Sequence, residues 1–177
     1  QNWRYERMTR GRKREHFQWN MDVWGEPEVT AEAELVGAIF SLLDAIGLAR
    51  GDVKVRVNSR ALLEASLRGG VLAQRPEVFE PLCVVIDKIA KVGADTVVEQ
   101  LTDPKGNVGL DEASAREVIA LLSAQSLDEA AEHVSPDSPA LADLRRFFDL
   151  LEAYGARDQV VFDASVSQRT FRVRPVL

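Results

Sequence analysis

The feature that most constrains this chain is a change of period. Two segments alternate with the two-residue period of β-strands: Val53, Val55 and Val57 against Lys54 and Arg56, and the later run Gln159-Val160-Val161-Phe162-Asp163. Between them, over residues 59–154, the apolar spacing is helical. Val78, Phe79, Leu82, Val85, Ile86 and Ile89 form a stripe that ends at Gly93, and Leu141, Leu144, Phe148 and Leu151 form another that ends at Gly155. Asn58-Ser59 reads as a helix cap after the first strand, and Ser126 with Glu129 has the spacing of a capping box. Gly69-Gly70, Asp103-Pro104-Lys105-Gly106 and Ser135-Pro136-Asp137-Ser138-Pro139 punctuate the block. The pattern predicts an α+β chain in which a cluster of short helices is inserted between elements of one sheet.

Upstream, residues 15–23 alternate strictly, with Phe17, Trp19, Met21 and Val23 on one side and His16, Gln18, Asn20 and Asp22 on the other. Trp3, Tyr5 and Arg7 alternate with Arg4, Glu6 and Met8 in the same way, and the Gly11-containing stretch between the two reads as the loop of an antiparallel hairpin. The alternation places Trp3, Trp19 and Trp24 in a core. After Gly25-Glu26-Pro27 a helix is predicted with Leu35, Ile39, Leu42 and Ile46 on its apolar face and Gly47 as its stop.

Charge is distributed unevenly along this order. Residues 1–18 hold Arg4, Arg7, Arg10, Arg12, Lys13 and Arg14 against Glu6 and Glu15, a local charge of +4, so the remainder of a chain with net charge −6 sums to −10. That argues against a generic polyanion binder, whose whole surface would be basic. With 177 residues, 46% of them hydrophobic, the chain can bury a sizeable core. One cysteine, Cys83, and two histidines, His16 and His133, exclude a disulfide framework and the usual structural zinc sites, and fit a reducing compartment. The longest mostly apolar stretch, 35–49, is interrupted by Asp44 and is shorter than the roughly 20 residues a spanning helix needs. The chain opens at Gln1 and enters charged and aromatic sequence at once, so it reads as a piece of something longer.

Arg4 and Glu6 share one face of the first predicted strand, and Gln18 and Asp22 share one face of the second. Paired in a hairpin, they would gather a guanidinium, two carboxylates and an amide beside the basic loop. Arginine offers a fixed fork of donors to phosphate oxygens, while Glu and Asp accept from an amine or an imidazole. The pattern alone leaves open the plainer alternative, a solvated face decorated with arginines. Cys83, inside an apolar stripe, reads as a buried small hydrophobe, and His16 as a polar-face residue with no general-base task. Asp87, Lys88 and Lys91 read as a solvated helix face, and no Walker-type phosphate loop is present.

The wording of these segments carries a resemblance. Trp3-Arg4-Tyr5-Glu6-Arg7, Gly11-Arg12-Lys13-Arg14-Glu15, Gln18, Asp22 and Gly25 resemble motif 2 of the class II aminoacyl-tRNA synthetases, in the version of the histidyl-tRNA synthetase family. The similarity continues through Val55-Arg56-Val57-Asn58-Ser59-Arg60, Ile86-Asp87-Lys88-Ile89-Ala90-Lys91, and Tyr154-Gly155 leading to Val161-Phe162-Asp163-Ala164-Ser165. It covers about residues 1–165, and Gln18-Trp19-Asn20-Met21-Asp22 is similar to bacterial and plant or algal organellar members. The resemblance implies a partial antiparallel class II catalytic sheet with a helical insertion domain. It implies residues 1–66 as partial catalytic core, 67–145 as insertion domain leaning toward the tRNA acceptor end, 146–165 as return to the core and 166–177 as a divergent tail.

By position, the resemblance gives Arg4 the grip on the ATP α-phosphate and the catalytic stabilisation of charge as histidine's carboxylate attacks. It gives Glu6 the adenine amino group, Arg12 a phosphate contact, and Gln18 and Asp22 the substrate histidine, with Mg²⁺ accompanying ATP and tRNA(His) as acceptor. Asp22 stands where many members have Glu. Where the family continues into R-G-L-x-Y-Y-T-G, this chain reads Val166-Ser167-Gln168-Arg169-Thr170-Phe171. Arg169 falls one position late, and a one-residue shift in a strand turns a side chain to the other face, so the role of the family's second arginine is not carried over. Motif 1, which builds the family's dimer interface, motif 3 and the anticodon-binding domain have no counterpart here. The expectation is a histidine–tRNA ligase fragment, inactive alone, in the cytoplasm, or in chloroplast or mitochondrion if the source is a plant or alga. The rival expectation is a non-catalytic synthetase-like regulatory subunit of ATP phosphoribosyltransferase that senses histidine. A third, a helical RNA-binding module, needs a basic face on residues 67–145.

Overall fold

The computed structural model describes residues 1–166 and the strand at 172–175. The hairpin forms at its open end, where β1 (Asn2–Trp3) pairs antiparallel with β2 (Glu15–His16), Asn2 opposite His16 and Trp3 opposite Glu15. The Arg4 amide continues the ladder by donating to the Arg14 carbonyl at 2.8 Å. At the tip, Thr9 and Arg12 form a bridge across Gly11, whose φ of +79° is left-handed backbone that a side chain would strain.

The strands are much shorter than the alternation suggests. Residues 17–23 follow β2 without strand pairing, and Trp3, Trp19 and Trp24 are exposed rather than core, Trp24 at 89%. The reason is packing. No residue before Ala33 is buried, so no hydrophobic core forms on either face of the hairpin among the described residues.

A second sheet has the order β4-β3-β5. Its centre is β3 (Val53–Val57), which buries Val53, Val55 and Val57 and turns Arg56 outward. Strand β4 (Val160–Phe162) runs parallel to it, with Val55 opposite Val160 and Val57 opposite Phe162, while β5 (Arg172–Pro175) runs antiparallel. A parallel pair needs a long crossover, and here the whole helical block supplies it. Gln168 and Arg169 lie outside the described residues.

The helices are α1 (Thr30–Ala45), α2 (Arg60–Gly69), α3 (Phe79–Ile86), α4 (Ile89–Val92), α5 (Ala94–Thr102), α6 (Glu112–Leu122), α7 (Leu127–Ala131) and α8 (Pro139–Ala153). The Ser59 hydroxyl accepts from the Leu62 amide and the Ser126 hydroxyl from the Glu129 amide, as their cap positions require. The stripe from Val78 to Ile89 is two helices rather than one, because Lys88 bonds back three residues to Val85 and breaks the α register.

Two hydrophobic clusters result. One gathers α1, β3, β4 and α8 through Val36, Phe40, Val55, Phe148 and Leu151; the other gathers α2 to α6 through Leu67, Phe79, Leu82, Val97 and Val118. Helix α2 joins them, because the adjacent Leu62 and Leu63 sit about 100° apart on the helix and point into different clusters. On α1 the buried residues are Ala33, Val36 and Phe40, while Leu42 and Ile46 of the anticipated stripe are exposed. The apolar side chains of α1 are spread over more than one face, and contact with α8 selects those that are buried.

The C-terminal end of β4 is pinned to β3 by side chains. Asp163 accepts from Arg56 Nη1 at 2.9 Å, from the Ser165 hydroxyl at 2.6 Å and from the Ser165 amide at 3.0 Å. The Asn58 carboxamide donates to the carbonyls of Ala164 and Val166.

Candidate nucleotide site on the hairpin

The hairpin encloses an open depression of about 390 Å³ lined by Arg4, Glu6, Gly11, Arg12, Lys13, Glu15 and His16. It exists because β1 and β2 bring Arg4 beside Glu15 and His16, and because the turn at Gly11 folds Arg12 back over Glu6. Arg12 Nε donates to the Glu6 carboxylate, and Arg14 Nε donates to the Glu6 carbonyl at 3.1 Å. The Arg14 guanidinium also lies over the Tyr5 ring, 4.7 Å from its centre, which fixes the strand backbone from outside the depression. Gln1 donates its amide to the Glu15 carboxylate.

The hydrogen bond from Arg12 holds the Glu6 carboxyl below the usual carboxylate range, against a smaller opposing effect of burial, with Arg4 and His16 adding in the same direction. The same bond raises the Arg12 guanidinium. Both groups are charged at neutral pH, and each occupies the other. Arg4 and Lys13 complete a cationic wall, so the depression offers fork-like donors suited to an oxyanion and, paired with Arg12, a carboxylate acceptor in Glu6.

Of the residues anticipated from sequence, Arg4, Glu6 and Arg12 come together here. Gln18 and Asp22 are exposed on the unpaired segment after β2 and do not line the depression. Lys13 and Glu15 were not singled out individually, although the register of the hairpin places Glu15 opposite Trp3. Among the described residues, no group of three or more His, Cys, Asp or Glu is placed to hold a metal ion. No helix among them is long and apolar enough to cross a membrane.

No family model matches the chain. It is 41% identical over 166 residues to the histidine–tRNA ligase, chloroplastic/mitochondrial, of Arabidopsis thaliana, a match covering 94% of this chain and 33% of that protein. The chain is homologous to the histidyl-tRNA synthetases. A histidine–tRNA ligase of Thermoplasma volcanium is 33% identical, the match covering 93% of this chain and 37% of the relative. The chain thus spans about a third of the length of the curated relatives it matches. Its fold is similar to part of a histidyl-tRNA synthetase from Nostoc sp. PCC 7120, with a TM-score of 0.69 at 15% identity, covering 84% of this chain and 37% of that one. It also matches an ATP phosphoribosyltransferase regulatory subunit/histidyl-tRNA synthetase from Bacillus halodurans C, with a TM-score of 0.63 at 19% identity over 85% of this chain and 40% of that one. The extent of the sequence match agrees with the run of motifs over residues 1–165.

Proposed function

We propose that this chain carries the ATP- and histidine-binding hairpin of a histidine–tRNA ligase, and that residues 67–145 are its helical insertion domain. The observation that supports the reading is the convergence of Arg4, Glu6 and Arg12 on one depression, in a segment homologous to ligases of that name. In the proposed reaction a carboxylate oxygen of histidine attacks the α-phosphorus of ATP and pyrophosphate leaves. Arg4 stabilises the charge that develops on the phosphoryl oxygens. Arg12 passes from Glu6 to a phosphate, which frees Glu6 to accept from the adenine amino group. Gln18 and Asp22 would hold the histidine once the segment after β2 is ordered against it. Attack of a terminal ribose hydroxyl of tRNA(His) on the adenylate then releases AMP.

Mg²⁺ enters as the counter-ion of ATP, held by phosphates and water, in keeping with a lining that has only two carboxylates. The chain alone binds without turning over, because Arg4 is exposed and the depression is open, whereas transition-state stabilisation needs charges preorganised away from water. The plant relative's name favours an organelle as the working compartment over the cytoplasm.

The regulatory-subunit reading draws on the Bacillus halodurans C structure, but a histidine sensor has no use for a phosphate grip opposite an adenine acceptor. An RNA-binding module is disfavoured by charge, since residues 67–145 hold 7 basic against 14 acidic side chains. The test is equilibrium dialysis of the chain with labelled ATP and labelled histidine. Millimolar ATP binding that Arg12→Ala weakens supports the ligase reading, and histidine binding without any ATP binding replaces it with the regulatory one.

A further inference from the structure

We infer that a second depression, between α1 and the end of α8, is a binding site for the guanidinium or ammonium head of an organic cation. It has a volume of about 260 Å³, and its polar lining comes from Glu34, Ser41 and Asp44 on one face of α1 and from Arg50, Tyr154 and Gln159. The observation that points to a ligand is Gln159. It is only 3% exposed, yet its carboxamide has no hydrogen-bond partner among the described residues. Nor is it sealed, since the fully enclosed side-chain polar atom lacking a partner among those residues is Thr30 Oγ1. Gln159 lines the depression, which is therefore an opening from which a ligand can reach it. A buried amide left unpaired costs on the order of 1–3 kcal/mol, which water or a ligand must offset.

The rest of the lining selects the ligand's chemistry. Glu34 and Asp44 bring two carboxylates against a single cation, and that cation is engaged, because Arg50 Nη1 donates to the Gly155 carbonyl at 2.8 Å. The Ser41 hydroxyl spends its proton on the Gly37 carbonyl at 3.0 Å, so its oxygen faces a ligand as an acceptor. One side of the Tyr154 ring packs on α1 at Gly37, where an added Cβ would stand 3.8 Å from Cγ, and the ring remains 56% exposed. An open aromatic face beside carboxylates and acceptor oxygens suits a planar or compact cation rich in donors. The site lies apart from the hairpin and does not depend on the ligase reading.

Agmatine is the probe. Titrated into the ¹⁵N-labelled full chain, it is expected to produce saturable amide shifts confined to residues near Gly37, Ser41, Gly155 and Gln159. Asp44→Asn, at an exposed helix position, should weaken binding about fivefold, the scale of one surface charge contact. Gln159→Met should abolish saturation; if that variant unfolds, Asp44→Asn decides alone. Shifts matched by sodium chloride at equal ionic strength, or an affinity that Asp44→Asn leaves unchanged, would overturn the inference.

Discussion

Asp163 ties the turn at the end of β4 together and links it to β3 through Arg56. The carboxylate accepts from the Ser165 hydroxyl, the Ser165 amide and Arg56, and its side chain is 17% exposed against 49% for Arg56. Water can replace Asp163 at the half-exposed guanidinium, so that contact lies at the low end of the usual range. The two Ser165 bonds are part-buried and charge-assisted, at about 1–1.5 kcal/mol each. Asp163→Ala should therefore destabilise the chain by about 2–3 kcal/mol, or roughly 4–12 °C in Tm for a chain of this size. Asp163→Asn keeps an acceptor for Ser165 and should cost about half as much.

The pH dependence supplies a second readout. Burial alone would raise the Asp163 pKa, but the Ser165 hydroxyl, Arg56 and the Ser165 amide outweigh it and hold the carboxyl below its ordinary value. A depressed folded pKa stabilises the fold above the unfolded value of about 3.9, and that contribution is lost as pH falls through the folded value. The gap between the native chain and Asp163→Asn should thus be full at pH 7 and close below about pH 4. Urea unfolding followed by far-ultraviolet circular dichroism measures both. A cost under about 0.5 kcal/mol for Asp163→Ala at pH 7, or a gap that does not change with pH, would refute the reasoning.

Two further outcomes follow from burial and backbone. Gly11→Ala should strain the hairpin tip, because φ is +79° there, while shifting the thermal midpoint by less than about 2 °C, since no core residue lies nearby; ATP titration should show the weakened site that the melt does not. Cys83 is 6% exposed, and burial pushes its thiol up although Arg60 partly counters this, so labelling by a thiol reagent at pH 8 should follow global unfolding in urea rather than precede it.

What could be read from sequence follows the range of the interactions. Strand β3, the cap at Ser59, the stripe of α8 and the stop at Gly155 depend on residues within a few positions of one another, and each lies where its pattern put it. The buried face of α1 was not legible, because its apolar side chains are spread over more than one face and α8, about a hundred residues away, selects among them. The parallel pairing of β3 with β4 is nonlocal in the same way. In the candidate site, Arg4, Glu6 and Arg12 were readable because a single turn at Gly11 gathers them. Gln18 and Asp22 depend on strand pairing beyond His16, and the alternation that suggested it has nothing to pack against among the described residues.

The central claim, that this hairpin grips ATP for histidine activation, is tested most directly by transplantation. Residues 1–165 would replace the matching segment of the Arabidopsis thaliana ligase, with histidine-dependent ATP–pyrophosphate exchange as the assay. The account predicts exchange by this chimaera, and a loss of about 10²–10³-fold on Arg4→Ala, the scale for removing one preorganised charge stabiliser. Exchange that survives Arg4→Ala unchanged, or a folded chimaera that binds histidine but gives no exchange, would contradict it.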